Sequence, residues 1–158
     1  KVSLDFLRKV APEGRMVFLK DTCCDYELIR ERLKAVEGTP LKIFNANAQS
    51  WYDSYCHGSA GYNGVMANFH PDLYKWAYDH KDSDPEKAQL VAHFLTTAAM
   101  IEMRAYPVSA KYHQNLVDVP MSLVTRSADA AKLDKNARGE VESLIAMENY
   151  VRKQLGIL

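Results

Sequence analysis

The sequence predicts an α/β fold in which three parallel strands, each followed by a helix, precede a region made of helices alone. Short apolar runs recur near residues 18, 43 and 65, a spacing of roughly two dozen residues that is typical of βα units. After Pro71 the apolar residues follow helical spacing only. Because strands that alternate with helices pair in parallel, we expect a parallel sheet with the helices packed outside it.

The first βα unit lies between Gly14 and Gly38. Residues 16–19 form a continuous apolar run that ends at Lys20, which is typical of a strand buried on both faces of a parallel sheet. From Asp25 onward, apolar residues recur at three- and four-residue spacing, which predicts a helix with Asp25 as its N-cap and Gly38 after its end. The apolar face of this helix comprises Leu28, Ile29, Leu33 and Val36.

The second and third units follow the same order. Pro40 separates the first helix from residues 41–44, which predict the second strand. Residues 49–57 predict a short helix closed by Gly58, and residues 61–67 are the third apolar run and the predicted third strand.

The rest of the chain predicts helices joined by one long loop. In chain order, the predicted segments are a short helix over 72–80, a long helix that ends before Pro107, a helix over 108–117, a loop over 118–136 and a final helix that begins near Asn136. Residues 83–86 form a capping-box pattern at the start of the long helix. The apolar face of that helix comprises Leu90, Val91, Phe94, Leu95, Ala98 and Ile101.

Charge and hydropathy exclude two classes of partner. The 20 basic and 20 acidic side chains cancel, and neither sign forms a long run, which argues against binding to nucleic acid or to an anionic membrane. No apolar run approaches the roughly 20 residues that cross a bilayer, and the first ten residues lack the apolar segment of a signal peptide. We expect a soluble, cytoplasmic protein. Because the first residue is lysine, we also expect a processed or partial chain.

The cysteines and histidines form no pattern that predicts a metal site. Cys23, Cys24 and Cys56 are odd in number, and neighbouring cysteines rarely pair with each other, so we expect reduced thiols. The chain contains no C-x-x-C or H-x-x-x-H pair, and its histidines lie far apart without a nucleophile partner. We therefore predict neither a metal centre nor a Cys-His hydrolase.

Lys20 is the candidate catalytic residue because it lies at the carboxyl end of an apolar parallel strand. A lysine after a strand is more often a solvated residue, so the position alone is weak support. The apolar neighbours at residues 16–19 strengthen it, since partial desolvation disfavours the ammonium form and leaves the free amine that attacks a ketone.

The segment VFLKDTCCDYELIRERL (17–33) resembles strand six of the dihydrodipicolinate synthase / N-acetylneuraminate lyase family, whose members are class I pyruvate aldolases. In this family an apolar run ends in lysine, and an acidic residue, small hydroxyl residues and Gly-Asp then precede a helix. Lys20 falls on the imine-forming lysine, and Asp21, Thr22 and Asp25 also match. The adjacent residues Cys23 and Cys24 replace the usual small hydroxyl residue and glycine.

The resemblance continues through the next two strands. Ala46 stands where the family has glycine, and Asn63 stands where it usually has an aliphatic residue beside the oxo acid. Sialic acid lyases carry an acidic pair at the positions of Ala48 and Gln49, so the resemblance implies a shorter, less hydroxylated or aromatic-tailed substrate, with Trp51 or Tyr62 as candidate stacking surfaces. Further matches to the family spacing are Gly58, Gly61, Ala67, Asn68 and Pro71.

The resemblance implies the C-terminal part of a TIM (β/α)8 barrel, comprising its last three βα units, followed by a C-terminal helical bundle. Residues 1–70 would form strands six to eight of the barrel, and residues 71–158 the last barrel helix and the helical region. The implied activity is that of a Schiff-base-forming lyase or aldolase, with pyruvate or another 2-oxo acid and an aldehyde as reactants and with no cofactor. Lys20 would be catalytic; the substrate-binding positions would be Thr22, Ala46, Asn47, Gln49 and Asn63.

The family's carboxylate-binding motif and its proton-relay tyrosine belong to the first half of the barrel, and no segment of this chain matches them. We therefore expect the remaining N-terminal half from the same or a partner chain, in a protein that forms a homo-oligomer, commonly a homotetramer in this family. Three alternatives stay open: a 2-oxo sugar-acid dehydratase of the same family, a non-catalytic metabolite-binding barrel, and an isolated helical interaction fragment.

Overall fold

The computed structural model describes residues 2–157, and within them it has seven α-helices and one sheet of three parallel strands in the order β1-β2-β3. These residues divide into two compact units. The first runs to Gly64 and also includes Tyr78–Gln89, whereas the second comprises Val65–Ala77 and the residues from Leu90 onward. The functional division predicted at residue 70 stays a prediction.

The first unit contains the strands. Its elements are α1 (Leu4–Val10), β1 (Phe18–Asp21), α2 (Tyr26–Ala35), β2 (Lys42–Asn45), α3 (Trp51–Cys56) and β3 (Gly61–Tyr62). Lys20 pairs with Phe44 across β1 and β2, and Asn45 pairs with Tyr62 across β2 and β3. The predicted order of strands and helices and the parallel sheet are confirmed. Helix α1, which Ser3 caps through its side chain, was not predicted.

The core of the first unit lies on one face of the sheet. It is built by apolar side chains of α1, α2 and β2, with Leu19 of β1 packed against them. The buried members are Leu7, Ala11, Ile29, Leu33, Val36, Leu41 and Ile43. Because side chains alternate along a strand, Phe18, Lys20 and Phe44 lie on the opposite face.

That opposite face is open within the described residues, since Phe18 is 49% exposed and Lys20 is exposed as well. The prediction of a strand buried on both faces is therefore wrong for this chain taken by itself. The strand also begins and ends two residues later than predicted, so that Lys20 lies within β1 and not after it.

The third strand is shorter than predicted. It comprises only Gly61–Tyr62, and a 3-10 helix follows at Val65–Asn68, so the predicted strand centre near residue 65 is wrong. The cause is a close approach at Gly64. A methyl group there would overlap the hydroxyl of Tyr62 and would lie 2.5 Å from the carbonyl oxygen of Ala46. The chain bends at this glycine, and the apolar run 65–67 forms a turn with Met66 buried.

The remaining helices are α4 (Pro71–His80), α5 (Pro85–Ala98), α6 (Val108–Leu116) and α7 (Lys135–Leu155). All four were predicted, with α5 ending earlier because a 3-10 helix replaces its last turn at Ala99–Met103. Asp134 caps α7 through its side chain, in the neighbourhood predicted around Asn136. Leu90 is 68% exposed and does not join the buried face of α5 as predicted. Between residues 2 and 157, no helix is both long and apolar enough to cross a membrane.

Candidate active site

The predicted site residues lie at the carboxyl ends of the three strands. Lys20 is the third residue of β1, and Thr22, Ala46 and Asn63 directly follow β1, β2 and β3. Main-chain hydrogen bonds hold these ends side by side. The amide of Ala46 donates to the carbonyl oxygen of Asp21 at 2.9 Å, and the amide of Asn63 donates to that of Asn45 at 2.8 Å.

Lys20 is exposed on the open face of the sheet. Its apolar neighbours on that face are Phe18 and its strand partner Phe44, whose ring centroids lie 4.9 Å apart. The residues expected to desolvate the amine do so less than predicted, because Met16 and Leu19 pack against the core on the other face. Within this chain, desolvation of the amine by residues 16–19 was therefore predicted wrongly.

Asp21, the next residue after Lys20, points into the core and is 2% exposed. Its Oδ2 accepts a hydrogen bond from Nη1 of Arg32 in α2 at 2.6 Å, and its Oδ1 accepts one from the amide of Cys23 at 2.8 Å. Arg32 in turn donates to the carbonyl oxygen of Val2 at 2.7 Å. This buried ion pair links the loop after β1 to helix α2. It was not predicted from the sequence.

The Cys23 thiol is not an activated nucleophile. Burial, together with the hydrogen bond and charge of Asp21, raises the pKa of the Cys23 thiol to about 11, which keeps it protonated at neutral pH. All three cysteines are free. Within residues 2–157, no group of three or more His, Cys, Asp or Glu side chains is arranged to hold a metal ion.

The loop after β2 is held by its own polar side chains. Oδ1 of Asn47 accepts hydrogen bonds from the amide and the hydroxyl of Ser50, at 3.0 and 2.8 Å. Nδ2 of Asn47 donates to Oε1 of Gln49 at 2.7 Å, and the Tyr26 hydroxyl donates to the carbonyl oxygen of Gln49 at the same distance. The side-chain amide of Asn47 thus already forms hydrogen bonds within the loop. The role of Asn47 in substrate binding stays a prediction.

Trp51 does not offer a stacking surface, contrary to the prediction, because its side chain is fully buried. It forms edge contacts with the rings of Tyr52 and Tyr55, with centroid distances of 5.4 and 4.9 Å. Tyr62 packs near it at 6.2 Å and remains partly exposed.

Comparison of the whole chain with known proteins gives matches among solved structures, whereas no family model and no curated protein matches it. A 4-hydroxy-tetrahydrodipicolinate synthase from Methylacidiphilum fumariolicum SolV superimposes with a TM-score of 0.80 at 12% identity, over 99% of this chain and 52% of that one. A prophage protein of the dihydrodipicolinic acid synthase family from E. coli K12, in complex with pyruvate, gives 0.79 at 18% identity, over 93% and 51%. The dihydrodipicolinate synthase from Acinetobacter baumannii, complexed with pyruvate, gives 0.77 at 15% identity, over 93% and 50%.

The chain has the fold of the C-terminal half of a dihydrodipicolinate synthase barrel. It spans about half the length of these structures, so the predicted resemblance and fold class are confirmed. In barrels of this kind, catalytic groups lie at the carboxyl ends of the strands. Lys20, Thr22, Ala46 and Asn63 lie on or directly after β1, β2 and β3, whereas Asn47 and Gln49 lie in the loop that follows β2.

Proposed function

We propose that this chain carries the imine-forming lysine of a class I lyase or aldolase that acts on pyruvate or another 2-oxo acid. The observation that supports the proposal is the position of Lys20. Its side chain lies on the open face of a half-barrel of dihydrodipicolinate synthase fold, next to the carboxyl end of β1. Two of the similar structures are complexes with pyruvate.

The chemistry follows from a primary amine facing a ketone. Nζ of Lys20, as the free amine, attacks C2 of the 2-oxo acid, and the adduct loses water to give a protonated imine. In a 4-hydroxy-2-oxo acid, loss of the proton from the 4-hydroxyl group then breaks the C3–C4 bond and releases an aldehyde. The electron pair of that bond passes to the imine and gives an enamine. Protonation of C3 and hydrolysis of the imine return the 2-oxo acid and the free lysine, with no cofactor.

A covered sheet face is part of this proposal. Exclusion of water favours the free amine, which is the nucleophilic form, and Lys20 lies on a face that is open within the described residues. We propose that the remaining part of the barrel, from the same protein or from a partner chain, covers this face and excludes water from Lys20. Assembly of the completed barrels into a homo-oligomer is a further prediction from the resemblance.

Reductive trapping tests the proposal. The complete protein is incubated with pyruvate and borohydride, which reduces the imine to a stable secondary amine, and the modified peptide is identified by mass spectrometry. We expect one adduct, at Lys20, with the mass of pyruvate less one oxygen atom. The matched control is Lys42→Ala, because Lys42 is an exposed lysine at the start of the adjacent strand, paired with Phe18. An adduct at Lys42, or none in the presence of pyruvate and other 2-oxo acids, would reject the proposed function.

A further inference from the structure

We propose that Asn45 is the positioning residue for the aldehyde-derived part of the substrate. In this role, Asn45 fixes the positions of the loops after β2 and β3 through hydrogen bonds, and its own side chain does not contact the reactants. This inference rests on the proposed function and deepens it, since it separates the residues that position the second reactant from those that form the imine.

The side chain of Asn45 is 2% exposed and points away from the open face. Its Oδ1 accepts a hydrogen bond from the amide of Asn47 at 2.8 Å. Its Nδ2 donates to the hydroxyl oxygens of Ser50 and Ser54, at 3.0 and 3.1 Å. One buried amide therefore joins the end of β2 to the loop that follows it and to helix α3.

The main chain of Asn45 extends this link to the third strand. Its carbonyl oxygen accepts the amide of Asn63 at 2.8 Å. Two of the predicted substrate-binding positions, Asn47 and Asn63, thus take their backbone position from this one residue, and a third, Ala46, is its neighbour in the chain. Asn45 therefore determines the relative positions of Ala46, Asn47 and Asn63, and with them the shape of the pocket wall that these three residues would form.

The hydrogen-bond directions require an amide at this position. The hydroxyl of Ser50 donates to Oδ1 of Asn47 at 2.8 Å, and the hydroxyl of Ser54 donates to the carbonyl oxygen of Trp51 at 2.6 Å. Both serine hydrogens are thus already used, so the serine oxygens can only accept from Asn45. Aspartate has the same shape but no donor, and it would set a carboxylate oxygen against two acceptors. The substitution Asn45→Asp should therefore disrupt the network while changing volume little.

The loop that follows Lys20 is fixed by a different set of side-chain contacts. The loop after β1 is fixed through Asp21, whose carboxylate binds Arg32 and the amide of Cys23. The side-chain network of Asn45 includes neither residue. A change at Asn45 should therefore spare the reaction of Lys20 with pyruvate and impair the steps that need the aldehyde-derived part of the substrate.

The experiment compares two reactions of the complete protein. One is borohydride trapping of pyruvate at Lys20, and the other is cleavage of a panel of 4-hydroxy-2-oxo acids. For Asn45→Asp we expect the trapping rate to stay within about threefold of the wild type, while kcat/KM for cleavage falls about tenfold or more, mainly through KM. Ser54→Ala, which removes one acceptor of Nδ2, should give a smaller change in the same direction. The control is Asn115→Asp, which removes an amide donor to the carbonyl oxygen of Met121 far along the chain, and it should change neither reaction.

Each outcome decides between the two levels of the proposal. If the wild type traps no 2-oxo acid, the proposed function fails and the role of Asn45 fails with it. If the wild type traps pyruvate but Asn45→Asp lowers trapping and cleavage equally, or lowers neither, only the positioning role is rejected. If circular dichroism shows that Asn45→Asp does not fold, Ser54→Ala decides by the same two rates.

Discussion

Phe18 and Phe44 pack against each other in a tilted arrangement on the open face of the sheet, with ring centroids 4.9 Å apart and planes inclined by 38°. Phe18 lies two residues before Lys20 in β1, and Phe44 is the partner of Lys20 in β2. The candidate nucleophile thus stands at the edge of an aromatic pair, whereas Leu19 and Ile43 between them point to the core. Because side chains alternate along the two strands, the candidate nucleophile lies on one face of the sheet and the packed core on the other.

The first prediction concerns Lys20 itself. In the complete protein, Lys20→Ala should abolish turnover because it removes the covalent route, while the fold should stay intact. The side chain is exposed in this half-barrel and its loss leaves no cavity in the core. Turnover and thermal unfolding are measured on the same preparation, with Lys42→Ala as the matched surface variant. An undiminished rate in Lys20→Ala would move the active site elsewhere.

The second prediction compares two glycines. Gly64→Ala should destabilise the protein by about 2 kcal/mol or more, because the new methyl group would lie 2.5 Å from the carbonyl oxygen of Ala46, which is backbone and cannot easily move away. Gly139→Ala should stabilise it by about 0.5–1 kcal/mol, since Gly139 lies within α7 and nothing stands within 4 Å of the added group. Urea unfolding measures both changes. Equal effects of the two substitutions would show that the bend at Gly64 is not constrained.

The parts of the fold that depend on local sequence could be predicted. Helix α2 begins at the predicted cap because the side chain of Asp25 accepts the amide of Leu28, three residues away. Helix α1 was not predicted because it is only seven residues long and buries a single side chain, Leu7. The length of β3 could not be predicted from the sequence either, because it is limited by the close approach of Gly64 to Tyr62 and to the loop after β2.

The candidate site divides in the same way. The strand-end position of Lys20 is a local property, and the resemblance to a known motif marks it. The contacts of Asp21 and Asn45 were not predicted because they involve partners elsewhere in the chain, Arg32 in α2 and Ser54 in α3. A polar residue at an inward-facing strand position was the one available signal, and recognising it requires the strand limits that only the structure defines.

The third prediction concerns pH and the second unit. Glu148 of α7 is fully buried, and its carboxylate accepts hydrogen bonds from ring nitrogens of His70 and His113, at 2.7 and 3.0 Å. Burial raises the pKa of this carboxyl group, but the hydrogen bonds and charges of the two histidines outweigh burial and lower the pKa from 4.5 to about 2. Because the folded-state pKa lies below the unfolded value, the stabilisation is complete above pH 4.5 and is lost as the pH falls towards 2.

The substitution Glu148→Gln removes the part of the pH dependence of stability that comes from this carboxylate. At neutral pH the variant should be less stable by about 3 kcal/mol, and its deficit relative to the wild type should shrink as the pH is lowered from 4.5 towards 2. Urea unfolding at a series of pH values measures the difference. Glu142→Gln serves as the control, because the carboxylate of Glu142 accepts only the exposed hydroxyl of Tyr112 among the hydrogen bonds of the described residues. A constant deficit at every pH would contradict the assignment to Glu148.

The last prediction concerns specificity: the complete protein should be a poor sialic acid lyase. The positions that match the acidic pair of those lyases are Ala48 and Gln49. Ala48 is 5% exposed and its methyl group accepts no hydrogen bond, while Oε1 of Gln49 already accepts one from Asn47. Each sugar hydroxyl left buried without a partner costs roughly 1–3 kcal/mol, so even one lost partner gives a clear preference for another substrate.

The test compares kcat/KM for N-acetylneuraminate with kcat/KM for shorter 4-hydroxy-2-oxo acids in the complete protein. We expect the shorter acids to be cleaved faster by about tenfold or more, the equivalent of one unpaired hydroxyl. Gln49→Glu sharpens the comparison, because a carboxylate can accept two sugar hydroxyls where the amide oxygen is already occupied. The variant should therefore shift the ratio towards N-acetylneuraminate without changing the rate of pyruvate trapping at Lys20. If N-acetylneuraminate is the best substrate of the wild type, the interpretation of Ala48 and Gln49 is wrong, whereas an unchanged ratio in Gln49→Glu removes Gln49 alone from the pocket.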